Sequence, residues 1–123
     1  MKVYKNHDMK EYSNMKIGGI AKELIIIDER EELIEVLKTR KKTFLIGNGT
    51  NTLIPDEDMD ISFISLNKLN KIEDLKNGRV YVESGLNFEK LIDFIEEKNY
   101  SGLENLAGIP GSVGGLIYMN GGA

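Results

Sequence analysis

Apolar residues along this chain fall in short clusters divided by glycine, asparagine and charged turns, and their spacing changes from one cluster to the next. The residues through Ser13 are polar and weakly patterned. They fit a short helix or an arm and receive no assignment. Asn14-Met-Lys-Ile-Gly-Gly19 reads as a paired-glycine turn feeding Glu23-Leu-Ile-Ile-Ile27, a β-branched run with strand character. Asp28 is the expected N-cap of a helix, with Glu31 at capping-box spacing and Glu29, Glu31 and Glu32 at the positive end of the dipole. Leu33, Val36 and Leu37 share one face of that helix, and Lys38, Arg40, Lys41 and Lys42 lie near its C-terminal end as a solvated face. Thr43-Phe-Leu-Ile46 has strand length, and strand, helix and strand together imply a parallel pair.

Further on, Ile61-Ser-Phe-Ile-Ser-Leu66 predicts a strand, Leu69 to Leu75 an extended or turn segment, and Arg79-Val-Tyr-Val-Glu-Ser84 a strand after the Asn77-Gly78 turn. Asn87 caps a helix whose Phe88, Leu91, Ile92 and Ile95 form a core face. Phe88, Phe94 and Tyr100 come at helical spacing without interleaved Arg or Lys, which makes them packing residues and not a platform for bases.

A chain of 123 residues, 41% hydrophobic and 29% charged, has the size and composition of one ordinary globular domain. A net charge of −4, with Lys and Arg alternating with Asp and Glu, leaves no basic footprint and argues against nucleic acid as a partner. Absence of cysteine excludes disulfides, thiolate nucleophiles and cysteine-based zinc sites. His7, the single histidine, cannot build a multi-histidine metal site and reads as a surface residue. No apolar run reaches the roughly 18 to 20 residues that span a bilayer, and the first residues have no signal-peptide core. The expectation is a soluble, cytoplasmic chain without a membrane partner.

Two glycine-rich stretches carry the candidate chemistry. Gly47-Asn-Gly-Thr-Asn-Thr-Leu-Ile-Pro55 follows the second strand, where Gly47 and Gly49 let successive N–H groups converge as an anion-binding nest. The Asn48 backbone, the Thr50 and Thr52 hydroxyls and the Asn51 amide add donors, so the loop is a candidate diphosphate seat. It is not a Walker loop, for it lacks lysine, and it departs from a Rossmann fingerprint at Thr52 and Pro55. An ordinary strand-to-strand turn is the competing reading. The second stretch, Leu106-Ala-Gly-Ile-Pro-Gly-Ser-Val-Gly-Gly-Leu-Ile-Tyr-Met-Asn-Gly-Gly-Ala123, holds six of the 13 glycines. That is too much glycine for a packed helix or strand, and Pro110 makes Gly108–Gly111 a rigid turn. Either the backbone approaches a ligand there, or the turn is buried and packed closely on a neighbour.

Taken together, the two loops and the opening turn resemble the UDP-N-acetylenolpyruvoylglucosamine reductase (UDP-N-acetylmuramate dehydrogenase) family, in its N-terminal FAD-binding part. Asn14-Met-Lys-Ile-Gly-Gly19 is similar to the family's Asn-Thr-x-x-Ile-Gly-Gly, Gly47-Asn-Gly-Thr-Asn51 to its Gly-x-Gly-Ser-Asn loop, and Leu106 to Gly115 to its most diagnostic segment. The resemblance runs from about Tyr12 to Ala123. Met15 stands where Thr is usual, Leu116 where a small residue is common and Gly121 where Ala is common.

The resemblance implies an α+β fold, the FAD-binding domain of the vanillyl-alcohol oxidase (PCMH) type. Its two small α/β lobes would divide the chain into residues 1–66, with the diphosphate loop, and residues 67–123, a second and truncated lobe. It implies FAD held by Gly47, Asn48, Gly49, Thr50, Asn51 and Thr52 on one side. On the other side stand Gly108, Ile109, Pro110, Gly111, Ser112, Val113, Gly114, Gly115 and Asn120. The flavin would be non-covalent, because the oxidases that attach it through this loop use a histidine and this loop has Asn51 instead. The parent enzyme would pass hydride from NADPH through the flavin to the enolpyruvyl double bond of UDP-N-acetylglucosamine enolpyruvate. A serine would donate the proton, while an arginine and a glutamate polarise the carboxylate. In the family those three residues lie beyond the segment matched by Ala123, so no catalytic residue and no metal ligand is assigned, and Ser112 belongs to the flavin motif. Alternatives are a non-covalent FAD-binding subunit or oxidase of the wider group, and a non-catalytic α/β module with structural glycine turns. A truncated second lobe would expose apolar surface, which predicts poor solubility or self-association.

Overall fold

The computed structural model of this chain describes residues 1–13, 16–47 and 53–119, and its first half is built on the β-branched run after the paired glycines. That run is strand β2, Ile20–Ile26. Lys2–Asp8 forms β1, antiparallel to β2 with Lys2 opposite Ile26 and Asp8 opposite Ile20. The segment left unassigned on its pattern is therefore a strand. As the edge of the sheet it buries almost none of its side chains, so backbone pairing holds it without any alternation to read.

Helix α1, Arg30–Thr39, strand β3, Thr43–Ile46, and strand β4, Met59–Ser65, complete a four-stranded sheet of order β1-β2-β4-β3. β4 is parallel to both β2 and β3 and separates them, so the strands of the strand-helix-strand unit are parallel but not neighbours. Four of its seven residues are buried, and the centre of the sheet is the one position that covers such a strand on both edges and both faces.

The α1 cap lies one residue later than its sequence spacing predicts. Glu29 is the N-cap, and the Glu32 carboxylate accepts from the N–H groups of Glu29 (2.8 Å) and Asp28 (2.9 Å). Asp28 is instead paired with Lys68 at 3.6 Å.

An irregularity between Ala21 and Glu23 shifts the β2 register and changes which residues share a face. Ala21 and Leu24 join Met9, Ile46, Ile54 and Phe63 in one core cluster, while Ile25, Ile27, Val36, Ile64 and Leu69 form the cluster beneath α1. Each large side chain so buried contributes about 2 kcal/mol. Glu23 is also buried, at 2% exposure. Lys5 and Ser62 stand opposite it on the neighbouring strands, and their Nζ (2.9 Å) and Oγ (2.5 Å) both donate to its carboxylate. Arg40, the C-cap of α1, donates from Nε at 2.8 Å. The Arg40 guanidinium outweighs the cost of burial and holds the Glu23 carboxyl down at about 2.

The second half pairs β5, Ile72–Lys76, with β6, Arg79–Val82, in an antiparallel hairpin that turns through Asn77 and Gly78, both at positive φ. Helix α2, Phe88–Glu97, packs on it, and Asn87 Oδ1 caps it by accepting from Glu89 N–H at 2.9 Å. Leu86, Phe88, Leu91, Ile92 and Val113 form the core of this half, with Ile72, Val80, Val82 and Ile95 around them. The hydroxyl of Tyr100 donates to Asp74 at 2.8 Å and Phe94 lies beneath the Lys98 ammonium; both rings are half-buried and stand outside the apolar core that Phe88 joins.

Contrary to the expectation from its glycine content, the last described segment contains a helix, α3, Val113–Tyr118. Its glycines are tolerated because the helix is short, is capped by Ser112 and must lie close to the backbone of residue 84.

Candidate functional site

The two glycine stretches meet at the carboxyl end of the four-stranded sheet. Gly47 follows β3 directly, and the carbonyl of its neighbour Ile46 accepts from Leu66 N–H at 3.3 Å, which ties the end of β3 to the end of β4. Leu66 opens a turn in which Leu69 N–H donates back to its carbonyl at 2.9 Å, and Gly85 N–H then donates to the Leu69 carbonyl at 2.8 Å. The carbonyls of Ser84 and Leu86 accept from Gly114 and Val113 at 2.8 Å each, and Phe88 N–H donates to the Gly111 carbonyl at 2.8 Å. Ser112, 5% exposed, returns the path to its start, for a Cβ placed on Gly47 would sit 2.6 Å from the Ser112 Oγ. Gly47, Leu66, Gly85, Ser84, Gly114 and Ser112 thus form a closed ring of contacts between the sheet and the second half.

Close approach explains the glycines at all three of these positions, most tightly at 85, where a Cβ would run into the Leu66 carbonyl. A side chain at 47 would displace Ser112, and a Cβ at 114 would lie 2.7 Å from the Ser84 Cβ. The turn before α3 is as rigid as its proline implies, with Gly108 and Gly111 at φ of +91° and +114°.

The donors at the start of α3 are already engaged: Val113 and Gly114 with backbone carbonyls, Gly115 with Ser112 Oγ at 3.2 Å. The helix terminus therefore has none of those three N–H groups to offer an anion. Gly111 and Ser112 differ. Both are buried, yet among the described residues neither N–H meets a protein acceptor. Buried amides are nearly always paired, so these two adjacent donors, on the glycine turn and beside Gly47, fit an acceptor-rich ligand.

Of the candidate residues, Gly47, Ser112 and Gly115 come together, and Gly114 lies against Ser84. The Ile109 and Val113 side chains point into the core of the second half, so a ligand can meet them only through the backbone. Gly108 and Pro110 are exposed. Asn48, Gly49, Thr50, Asn51, Thr52 and Asn120 lie outside the described residues. Sequence reasoning missed Leu66, Ser84 and Gly85; a glycine straight after a predicted strand was the available signal. Among the described residues no group of three or more His, Asp or Glu is placed to hold a metal ion, and no helix is long and apolar enough to cross a membrane.

Comparison with known proteins shows the family to which the chain belongs. A family model described as an FAD binding domain matches residues 21–123. The chain belongs to this FAD-binding family. It is 55% identical, over all of its length and 44% of the relative's, to the UDP-N-acetylenolpyruvoylglucosamine reductase of Fusobacterium nucleatum subsp. nucleatum. It is 42% identical to that of Thermosipho melanesiensis, over 98% of this chain and 41% of the relative. The crystal structure of the Thermus caldophilus reductase superposes with a TM-score of 0.78 at 32% identity, covering 99% of this chain and 42% of that one. The chain therefore spans somewhat over two fifths of the length of these relatives. It corresponds to the FAD-binding part of the reductases, its fold is the α+β, PCMH-type FAD-binding domain, and its cofactor is FAD. The unpartnered Gly111 and Ser112 amides fit that cofactor.

Proposed function

We propose that this chain is the FAD-binding portion of a cytoplasmic, NADPH-dependent reductase that converts UDP-N-acetylglucosamine enolpyruvate to UDP-N-acetylmuramate, a step in peptidoglycan precursor synthesis. The reading rests on 55% identity along the whole chain to a reductase of that name. One structural observation carries the FAD seat: Gly47 and Ser112 converge on the same point from the two ends of the junction.

On this proposal the diphosphate rests on the backbone of Gly47 to Thr52, and the Gly108–Gly115 turn and Asn120 form the opposite wall. Residues 1–66 and 67–123 act as the two lobes, a division supported by their separate sheets, with Leu69 reaching back into the core beneath α1. Attachment is non-covalent, with Asn51 in place of a histidine. When bound, FAD supplies the acceptance and delivery of hydride between nicotinamide and substrate. The chain's own residues bind and orient: Gly111 and Ser112 offer N–H donors, and the Ser112 hydroxyl, buried and capping Gly115, stiffens the turn.

The test is the visible absorption spectrum of the purified chain, followed by acid release and identification of any flavin. The expected result is FAD, released intact, in amounts matching the chain. FAD added at a hundredfold excess over its dissociation constant should stabilise the fold by about 2.7 kcal/mol. A colourless chain whose melting temperature does not respond to FAD overturns the proposal.

A further inference from the structure

Asn67 stands one residue beyond Leu66, where β4 is tied to the end of β3 beside Gly47. Its amide oxygen is closed off from solvent, and among the described residues it is the one buried side-chain oxygen or nitrogen without a hydrogen-bond partner. Exchanging the two ends of the carboxamide does not help, because an unpartnered NH2 group would then occupy the same place.

The fold itself has no use for this group. The turn is closed by Leu69 N–H on the Leu66 carbonyl, Leu66 packs beneath α1, and Lys68 pairs with Asp28. Asn67's own N–H reaches Ser65 Oγ at 3.5 Å without involving the carboxamide. A buried acceptor left without a donor is a standing penalty in the free protein, and such penalties call for an explanation. Its position supplies one, since open α/β sheets take their ligands at the carboxyl ends of parallel strands, and Asn67 follows the central strand of this one.

We infer that Asn67 is a cofactor-positioning residue whose buried amide oxygen accepts a hydrogen bond from an N–H or O–H group of FAD. The inference rests on the proposal that FAD is seated at this junction. It also limits what Asn67 reads: the ionised diphosphate has no donors, so the partner lies on the adenylate half, with its amino and ribose hydroxyl groups, or on the flavin half, with its imide N–H and ribityl hydroxyls.

The experiment titrates FAD, ADP and FMN separately into flavin-free wild type, Asn67→Leu and Asn67→Ala, by calorimetry and by flavin fluorescence, and records the melting temperature of each free protein. Both variants should melt at or above the wild-type temperature without ligand, because the orphaned acceptor is gone, and both should bind FAD about tenfold more weakly. Asn67→Ala adds no bulk and serves if the leucine variant does not fold. Weakening carried over to ADP places the donor on the adenylate half, and weakening carried over to FMN places it on the flavin half. Wild-type affinity for FAD in both variants overturns the role of Asn67 alone. A wild-type chain that binds no FAD overturns the seat itself, and this role with it.

Discussion

At the scale of single residues, the most constrained charge is Glu23, which its apolar run Glu23–Ile27 gave no reason to single out. The carboxylate is buried and holds Lys5, Ser62 and Arg40. Its folded pKa of about 2 lies below the ordinary 4.5, so its contribution to stability is complete above about pH 4.5 and is lost as pH falls through 2. A shift of that size corresponds to about 3 kcal/mol. Glu23→Gln should lower stability at pH 7 by about 2 to 3 kcal/mol, less than for a fully buried pair because Lys5 and Arg40 can turn to water. Between pH 5 and 2 the urea midpoint of the wild type should fall toward that of the variant, and parallel curves would contradict this account. Gly114→Ala makes a second residue-scale prediction. Its Cβ would meet the Ser84 Cβ at 2.7 Å, so it should cost about 2 kcal/mol by overpacking and weaken FAD binding in the same titration.

At the scale of elements, legibility followed apolar patterning. β3 was readable to the residue, because Thr43–Ile46 is a short apolar run, and so was the start of α2, because Asn87 precedes a clear amphipathic face. Removing that cap with Asn87→Ala should cost about 1 kcal/mol, measured by chemical unfolding. β1 was not readable, since an exposed edge strand can be polar throughout. α3 was hidden by its glycines, of which Gly114 is there for approach to residue 84 and Gly115 lies against Ser112. Of the candidate site, the glycine stretches were visible in the sequence, whereas the partners that close the ring, Leu66, Ser84 and Gly85, come from turns with no chemical signature. Their pairing depends on register between distant strands, which no local pattern encodes.

Seen whole, the molecule carries two core clusters on its four-stranded sheet and a third in its second half, joined by the ring. Beside it Ile117, Tyr118 and Met119 are exposed by 73%, 89% and 56%, and Leu53 by 73%. Apolar side chains this open favour association, so light scattering at rising protein concentration should show self-association, and a monodisperse monomer that binds no hydrophobic dye would count against it. The ring also has a kinetic meaning. Its contacts join segments far apart in the chain, Gly47 with Ser112 and Ile46 with Leu66, and loop closure must be paid in entropy before such contacts return anything. They are therefore expected to form after the folding barrier, once each core has condensed. Gly114→Ala should accordingly speed unfolding in stopped-flow experiments and leave the refolding rate unchanged. A cofactor seat assembled in that order would be the last part of this protein to be made and the first to be lost.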